Sequence, residues 1–304
     1  MAIDELNCSV NCRRGSVTCQ TRGLHLEPRD VEPTCPTVPE KRCRAWGRSA
    51  LQRRDGDWLW QLGSLDKFFD YLDNPHGHCL HKSLVGGRIE EKQKKIYMDG
   101  QKVVCTDPPF IMKPDSCKVF SFGIRMTHYE FELTMADFGC KVFIFDPEAD
   151  RKTVEEMHPN FKMQLLRIGD DRRERRGSSS IHEWRRMSSI IDSELRSNKS
   201  YSIDYLKLDV QGDELNFLEE IITKRTRILI RFKQISIKIN IGVIGTPSWA
   251  DVDRYHRYFV SLERRGYRLF SSTADPVQHV RFILPEENRI ANTHYDLVWG
   301  KCEE

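Results

Sequence analysis

Between Lys118 and Lys301, short apolar runs alternate with stretches whose apolar residues recur every third or fourth position. The runs are KVFSFG (118–123), KVFIF (141–145), FKMQLLRI (161–168), IDYLKLD (203–209), a segment within RILIRFKQISIKINI (227–241), YRLFSS (267–272) and HYDLVWGK (294–301). Each reads as a buried strand. The intervening patterns read as helices. Thr127–Glu130 has the form of a capping box, followed by Phe131, Met135 and Phe138, with Gly139 as the stop. Ser180–Glu183 has the same form ahead of Trp184, Met187, Ile191 and Leu195, and Leu215, Leu218, Ile221 and Ile222 mark the next helix. Ser248 caps a last one carrying Val252, Tyr255, Phe259 and Leu262, closed by Gly266. Upstream, Trp58–Leu72 reads as a helix capped by Asp57, with Leu62, Leu65, Phe69 and Leu72 on one face and Pro75 beyond its end. The stretch LVGGRIEEKQKKIYMDGQKVVC (84–105) reads as a lead-in with a turn at Asp99–Gly100.

Strands alternating with helices predict an α/β fold with a mostly parallel sheet covered on both faces. Ligands in such folds bind outside the carboxyl ends of the strands. Asp146, Asp170 and Asp209 each lie at or just past a strand's end, so a parallel sheet brings them to one rim.

Composition narrows this picture. The apolar fraction of 39% supports a core, and 31% charged residues leave a net charge of only +3, which does not call for nucleic acid or an acidic membrane. The arginines of DDRRERRG (170–177), with Arg185 and Arg186, have no interleaved aromatic platform and read as a solvated loop and helix face. No run reaches the ~20 apolar residues of a membrane span. The chain as written has no apolar leader and points to the cytosol, whereas its ten cysteines suit an oxidising lumen. A signal carried upstream would reconcile the two. Residues 1–56 lack periodicity and read as a loosely ordered, Cys-rich arm, with 57–116 as helix and lead-in and 117–304 as the main domain. The HGHCLH segment (76–81) reads as a solvated turn rather than a metal site.

The strand ends hold the candidate chemistry. Phe122-Gly123-Ile124 closes the first strand, and a glycine there admits a ligand to the backbone. Asp146 lies 23 positions after Gly123, the spacing at which an acid holds a ribose diol; the alternative is an aspartate opening a turn before Pro147. One glycine is not a pyrophosphate cradle, which argues against a nicotinamide dinucleotide but not against a phosphate-free adenosine. Asp209 ends an apolar strand and needs a partner, while Gly212 and Glu214 open the following helix, where a carboxylate also suits the helix dipole.

VFSFGI, FELTMADFGCKVFIFDP, EWRRMSSIIDSEL and DYLKLDVQGDELNFLEEI together resemble the methyltransferase-like protein 24 group. The last segment is also similar to the K-x-D-x-x-G-x-E strings of FkbM-type methyltransferases. The resemblance implies a class I methyltransferase fold: a Rossmann-like seven-stranded sheet with an antiparallel last strand, using S-adenosylmethionine. It implies that Phe122, Gly123 and Ile124 flank the cofactor's methionine part, Asp146 with Pro147 the ribose, and Asp170 the adenine, while Asp209, Gly212 and Glu214 face cofactor and substrate. Asp209, Glu214 or His128 would serve as base. Arg125, Met126, Gln211, Lys238 and Asn240 depart from the family pattern, and several replace acids. Two functions follow: a methyltransferase acting on an unknown acceptor, or a degenerate fold that binds a ligand or partner without turnover.

Overall fold

The computed structural model describes residues 7–11, 16–20, 51, 59, 61–92, 94–124, 129–168, 183–195, 202–210, 212–224, 226–242, 248–275, 281–284, 288 and 290–301. The chain divides into two compact units, Met1–Arg42 and Cys43–Glu304. In the first, β1 (Asn7–Asn11) and β2 (Ser16–Gln20) form an antiparallel hairpin with Cys8 opposite Cys19.

The first helix described in the second unit is α1 (Leu65–Asp73), which starts later than the Trp58–Leu72 expected; Asp57 and Trp58 lie outside the described residues. Gly63 is a poor helix former, and Ser64 caps instead of Asp57, its Oγ accepting from the Lys67 amide at 3.4 Å. Two nested hairpins follow: β3 (Lys82–Val85) pairs with β6 (Lys102–Cys105), and β4 (Arg88–Lys92) pairs with β5 (Lys95–Asp99). The inner turn therefore includes Lys94, which takes a positive φ of 61°, while Asp99–Gly100 links β5 to β6 rather than closing a hairpin. The HGHCLH segment is tied down: the Gly77 amide donates to Leu269 O, Cys79 is bonded to Cys105, and His81 Nδ1 lies 2.5 Å from Asp107.

The remaining elements are β7 (Lys118–Phe122), α2 (Glu130–Asp137), β8 (Lys141–Phe145), α3 (Arg151–Met157), β9 (Phe161–Gln164), β10 (Leu166–Ile168), β11 (Glu183–Arg185), α4 (Met187–Leu195), β12 (Ile203–Leu208), α5 (Glu214–Glu219), β13 (Phe232–Asn240), α6 (Trp249–Arg264), β14 (Tyr267–Ala274), β15 (Arg281–Ile283), β16 (Ile290–Asn292) and β17 (His294–Lys301). Seven of them build one sheet in the order β14-β17-β13-β12-β7-β8-β9. Neighbours are parallel except β17, which is antiparallel to both β13 and β14. This is the class I methyltransferase topology that the resemblance implied.

Period-two alternation divides the core. Phe120, Phe122, Leu206, Leu208, Ile235 and Ile237 pack with Met187, Phe217 and Phe259 from the helices on one face. Val119, Val142, Ile144, Met163 and Tyr205 pack on the other with Phe131 and Met135 of α2 and with Val104 of β6.

Three helical and strand expectations need correction. FKMQLLRI splits because Leu165 is 43% exposed: the chain leaves the sheet after Gln164, and β10 pairs instead with β11. Trp184 consequently lies on a strand. Helix α4 starts at Met187, where the buried Glu220 carboxylate accepts from the Met187 and Ser188 amides, each at 3.0 Å, and replaces a local capping box. Helix α2 starts with Tyr129 at its cap position and no side-chain cap, and Phe138 is 47% exposed rather than on the packed face. Thr127 and Ser180 lie outside the described residues.

Two disulfides, Cys79–Cys105 and Cys117–Cys140, brace the unit, and no cysteine among the described residues is free. No helix among the described residues is long and apolar enough to cross a membrane.

Candidate functional site

The parallel strands deliver β7, β8 and β12 to one rim, and backbone bonds lace their ends together. The Gly123 amide donates to Phe145 O at 3.0 Å, and the Asp209 amide to Phe122 O at 2.9 Å. Gly123 has φ of 74°, and a Cβ there would stand 1.9 Å from Asp209 O. Glycine is therefore required by the neighbouring strand end itself, not only by an approaching ligand.

Asp146 sits in the same knot. Its Oδ2 accepts from the Ile124 amide and its Oδ1 from the Glu148 amide, both at 2.8 Å. The turn reading of Asp146 is realised, since the carboxylate opens the Pro147–Glu148 turn, and it also holds the glycine turn. Each oxygen of an ionised carboxylate has a second acceptor position, so a hydroxyl pair remains compatible with this arrangement. Phe122 and Ile124 have buried side chains, Phe122 stacking on Phe145 at 4.3 Å, so only their backbone belongs to the rim. Pro147 is half-buried beside them. Asp170, Arg125, Met126, His128, Gln211 and the 170–177 arginines lie outside the described residues.

Across the rim, the Gly212 amide donates to both Glu214 oxygens, at 3.0 and 2.8 Å. Gly212 has φ of 105°, and a Cβ there would meet nothing within 4 Å, so this turn opens onto free space. Glu214 is buried, and burial pushes its carboxyl up to about 7, against the pull of the Gly212 amide and its own; Asp209 and Asp213 raise it further. A group poised there can take or give a proton near neutrality.

Beyond Asp209 lies a polar cleft that sequence reading did not anticipate. Lys207 Nζ meets Glu132 Oε1 at 2.8 Å, Gly123 O at 3.3 Å and Ser121 Oγ at 3.4 Å, so it fastens α2 and the glycine turn to β12. Glu132 is fully buried and also accepts from Ser121 Oγ at 2.5 Å. Lys238 pairs with Asp275 at 2.5 Å, and Lys102 pairs with Asp296. All three lysines are buried. The signal available was a lysine inside each apolar run, YLKLD and ISIKIN. Lys238, which had stood as a lost family acid, is a member of an ion pair, and Asn240 caps a local turn by accepting from the Gly242 amide at 3.1 Å.

Metal chemistry finds no support in the one grouping of ligating atoms among the described residues. Cys79, Cys105 and Asp107 come together, but the two sulfurs are bonded to each other and Asp107 accepts from His81 and the Leu80 amide.

The chain is similar to several known proteins. A rat protein, "Probable methyltransferase-like protein 24", is 26% identical over 94% of this chain and 81% of its own length. The human protein of the same name is 25% identical over 64% of this chain and 54% of its own length. Among solved structures, a fibrillarin pre-rRNA processing protein of Methanococcus jannaschii covers 72% of this chain and 84% of its own at 11% identity and a TM-score of 0.35. Aeropyrum pernix fibrillarin, solved with natively bound S-adenosyl-L-methionine, covers 70% and 82% at 16% identity and a TM-score of 0.35. The family model described as "Methyltransferase domain" matches residues 59–282, most of the chain, and the chain belongs to that family.

Proposed function

We propose that the protein transfers a methyl group from S-adenosylmethionine to an acceptor at the rim formed by β7, β8 and β12. The reading is carried by one observation: Asp146, the Gly123–Ile124 turn and Asp209 are joined by direct bonds and contacts at the carboxyl end of a parallel sheet. Family membership supports the reaction class. Asp146 would receive the ribose hydroxyls, the open Gly212 turn would admit the donor's polar end, and Asp209 and Glu214 would face the acceptor.

The bound donor supplies an electrophilic methyl on a sulfonium, so the protein's task is alignment. Lys207 holds the glycine turn in register. Asp209 or Glu214 would take the proton that an acceptor hydroxyl or amine must lose, the acceptor's electron pair would form the bond to carbon, and the broken carbon–sulfur pair would stay on sulfur. The two disulfides support an oxidising compartment as the place of work.

A second reading, a ligand-binding module without turnover, draws on the fact that both Asp146 oxygens already accept backbone amides. Labelled methyl donor incubated with the protein and cell fractions separates the two. Transfer that Asp209→Asn reduces by about a hundredfold or more is expected for loss of general-base help; saturable donor binding with no transfer to any fraction favours the module.

A further inference from the structure

We propose that the lysine–aspartate cleft beside Asp209 is the acceptor subsite, and that the acceptor is an uncharged, hydroxyl-rich molecule of the carbohydrate class. The proposal rests on the methyl-transfer reading above and deepens it. The cleft is walled by Lys102, Lys207 and Lys238 and by Asp99, Asp209 and Asp296. Asp209 belongs both to this wall and to the rim knot, so a molecule in the cleft lies next to the strand end that packs on Gly123.

The wall's chemistry selects the class. Buried ion pairs stabilise a fold weakly compared with well-packed apolar side chains. Three of them converging on one cavity are an expensive way to fill a core, and an apolar acceptor would leave their charges without solvent. An acidic acceptor gains nothing from a wall with as many carboxylates as ammoniums, and Glu132 and Asp275 add negative charge behind it. A protonated amine gains nothing either, since the wall's three carboxylates are matched by its three ammoniums and Glu132 and Asp275 are already paired with Lys207 and Lys238. Burial lowers the Lys102 ammonium, but Asp296 and Asp209 outweigh it and raise it above the ordinary lysine value, so it stays charged.

A hydroxyl both donates and accepts. Fixed ammoniums and carboxylates lining one cavity can satisfy both roles of several hydroxyls at once. Phe131 supplies the single aromatic wall, its ring already 6.0 Å from Lys207 Nζ, against which the C–H face of a ring can lie. The enclosed volume of about 30 Å³ holds roughly two waters, or the hydroxyl-bearing edge of a molecule that extends out through the mouth. Asp209 would take the proton of the reacting hydroxyl, the oxygen would bond the methyl carbon as the carbon–sulfur bond breaks and its pair stays on sulfur, and the neighbouring ammoniums would stabilise charge developing on that oxygen.

Saturation-transfer NMR on the oxidised full chain tests this with neutral methyl hexosides, alongside the matching amino sugars and uronates. The neutral glycosides are expected to bind. Asp296→Asn and Lys238→Met are each expected to weaken that binding by about tenfold or more, as losing a hydrogen bond to a charged group does, while S-adenosylhomocysteine affinity stays unchanged. Circular dichroism confirms that each variant is folded, and the wild-type result stands even if one variant is not. Absence of any glycoside signal, a preference for the amino or acidic sugars, or folded variants that bind as wild type overturns the proposal. Glycoside binding without S-adenosylhomocysteine binding would instead remove the methyl-transfer reading and leave the cleft a carbohydrate site.

Discussion

The same strands present two unlike faces. On one, Phe120, Phe122, Leu206, Leu208, Ile235 and Ile237 pack with helix residues in one hydrophobic cluster. On the other, the alternation continues as Val119–Ser121, Tyr205–Lys207 and Gln234–Ser236–Lys238, with polar side chains mixed in at depth and charged ones near the rim. Ser121 and Ser236 stand directly opposite Lys207 in the two neighbouring strands. The first face is a device for stability. The second gives up apolar burial where the strands end, which is where this architecture binds ligands.

The contrast breaks most sharply at Glu132. Glu132→Ala leaves Lys207 charged and buried without its carboxylate, an expected loss of about 3–5 kcal/mol in urea unfolding. The paired change Lys207→Met with Glu132→Leu should cost much less, since both charges leave together. Equal losses for the single and double variants would show that the pair is mere packing. On the apolar face, Leu206→Ala should cost about 2–5 kcal/mol by opening a cavity, yet leave S-adenosylhomocysteine affinity of the folded fraction unchanged.

Glu214 sharpens the comparison through pH. Its folded value of about 7 lies above the ordinary 4.5, so the folded protein holds this proton more tightly than the unfolded chain. Its contribution to stability is full below the ordinary value and is lost as pH rises towards 7. Denaturation midpoints should fall across that window in the wild type and less in Glu214→Gln. If Glu214 is the base, transfer should rise through the same window and lose that inflection in the variant. At the small end, Arg151→Ala removes an exposed pair with Glu155 and should change stability by less than about 1 kcal/mol.

Much of the fold was legible. KVFIF and HYDLVWGK coincide with β8 and β17 because each run is bounded by polar residues or a turn. FKMQLLRI misled because hydrophobicity does not reveal that Leu165 points outward. The Ser180 capping box misled because a carboxylate 33 residues beyond the Met187 amide caps the helix instead. The rim acids could be read from strand ends, since parallel order alone gathers Asp146 and Asp209. The lysine cleft could not: Lys207 lies 75 residues from Glu132, and Lys102 lies 194 from Asp296, so only the folded sheet joins them.

The central claim is that Asp146 and Asp209 share a rim that grips an adenosine-bearing donor. Calorimetric titration of the full chain with S-adenosylhomocysteine tests it directly. The account predicts saturable binding that Asp146→Ala weakens by about 1.5–3 kcal/mol, the value of hydrogen bonds to a charged group. No heat at millimolar ligand, or binding that a folded Asp146→Ala leaves unchanged, would contradict it.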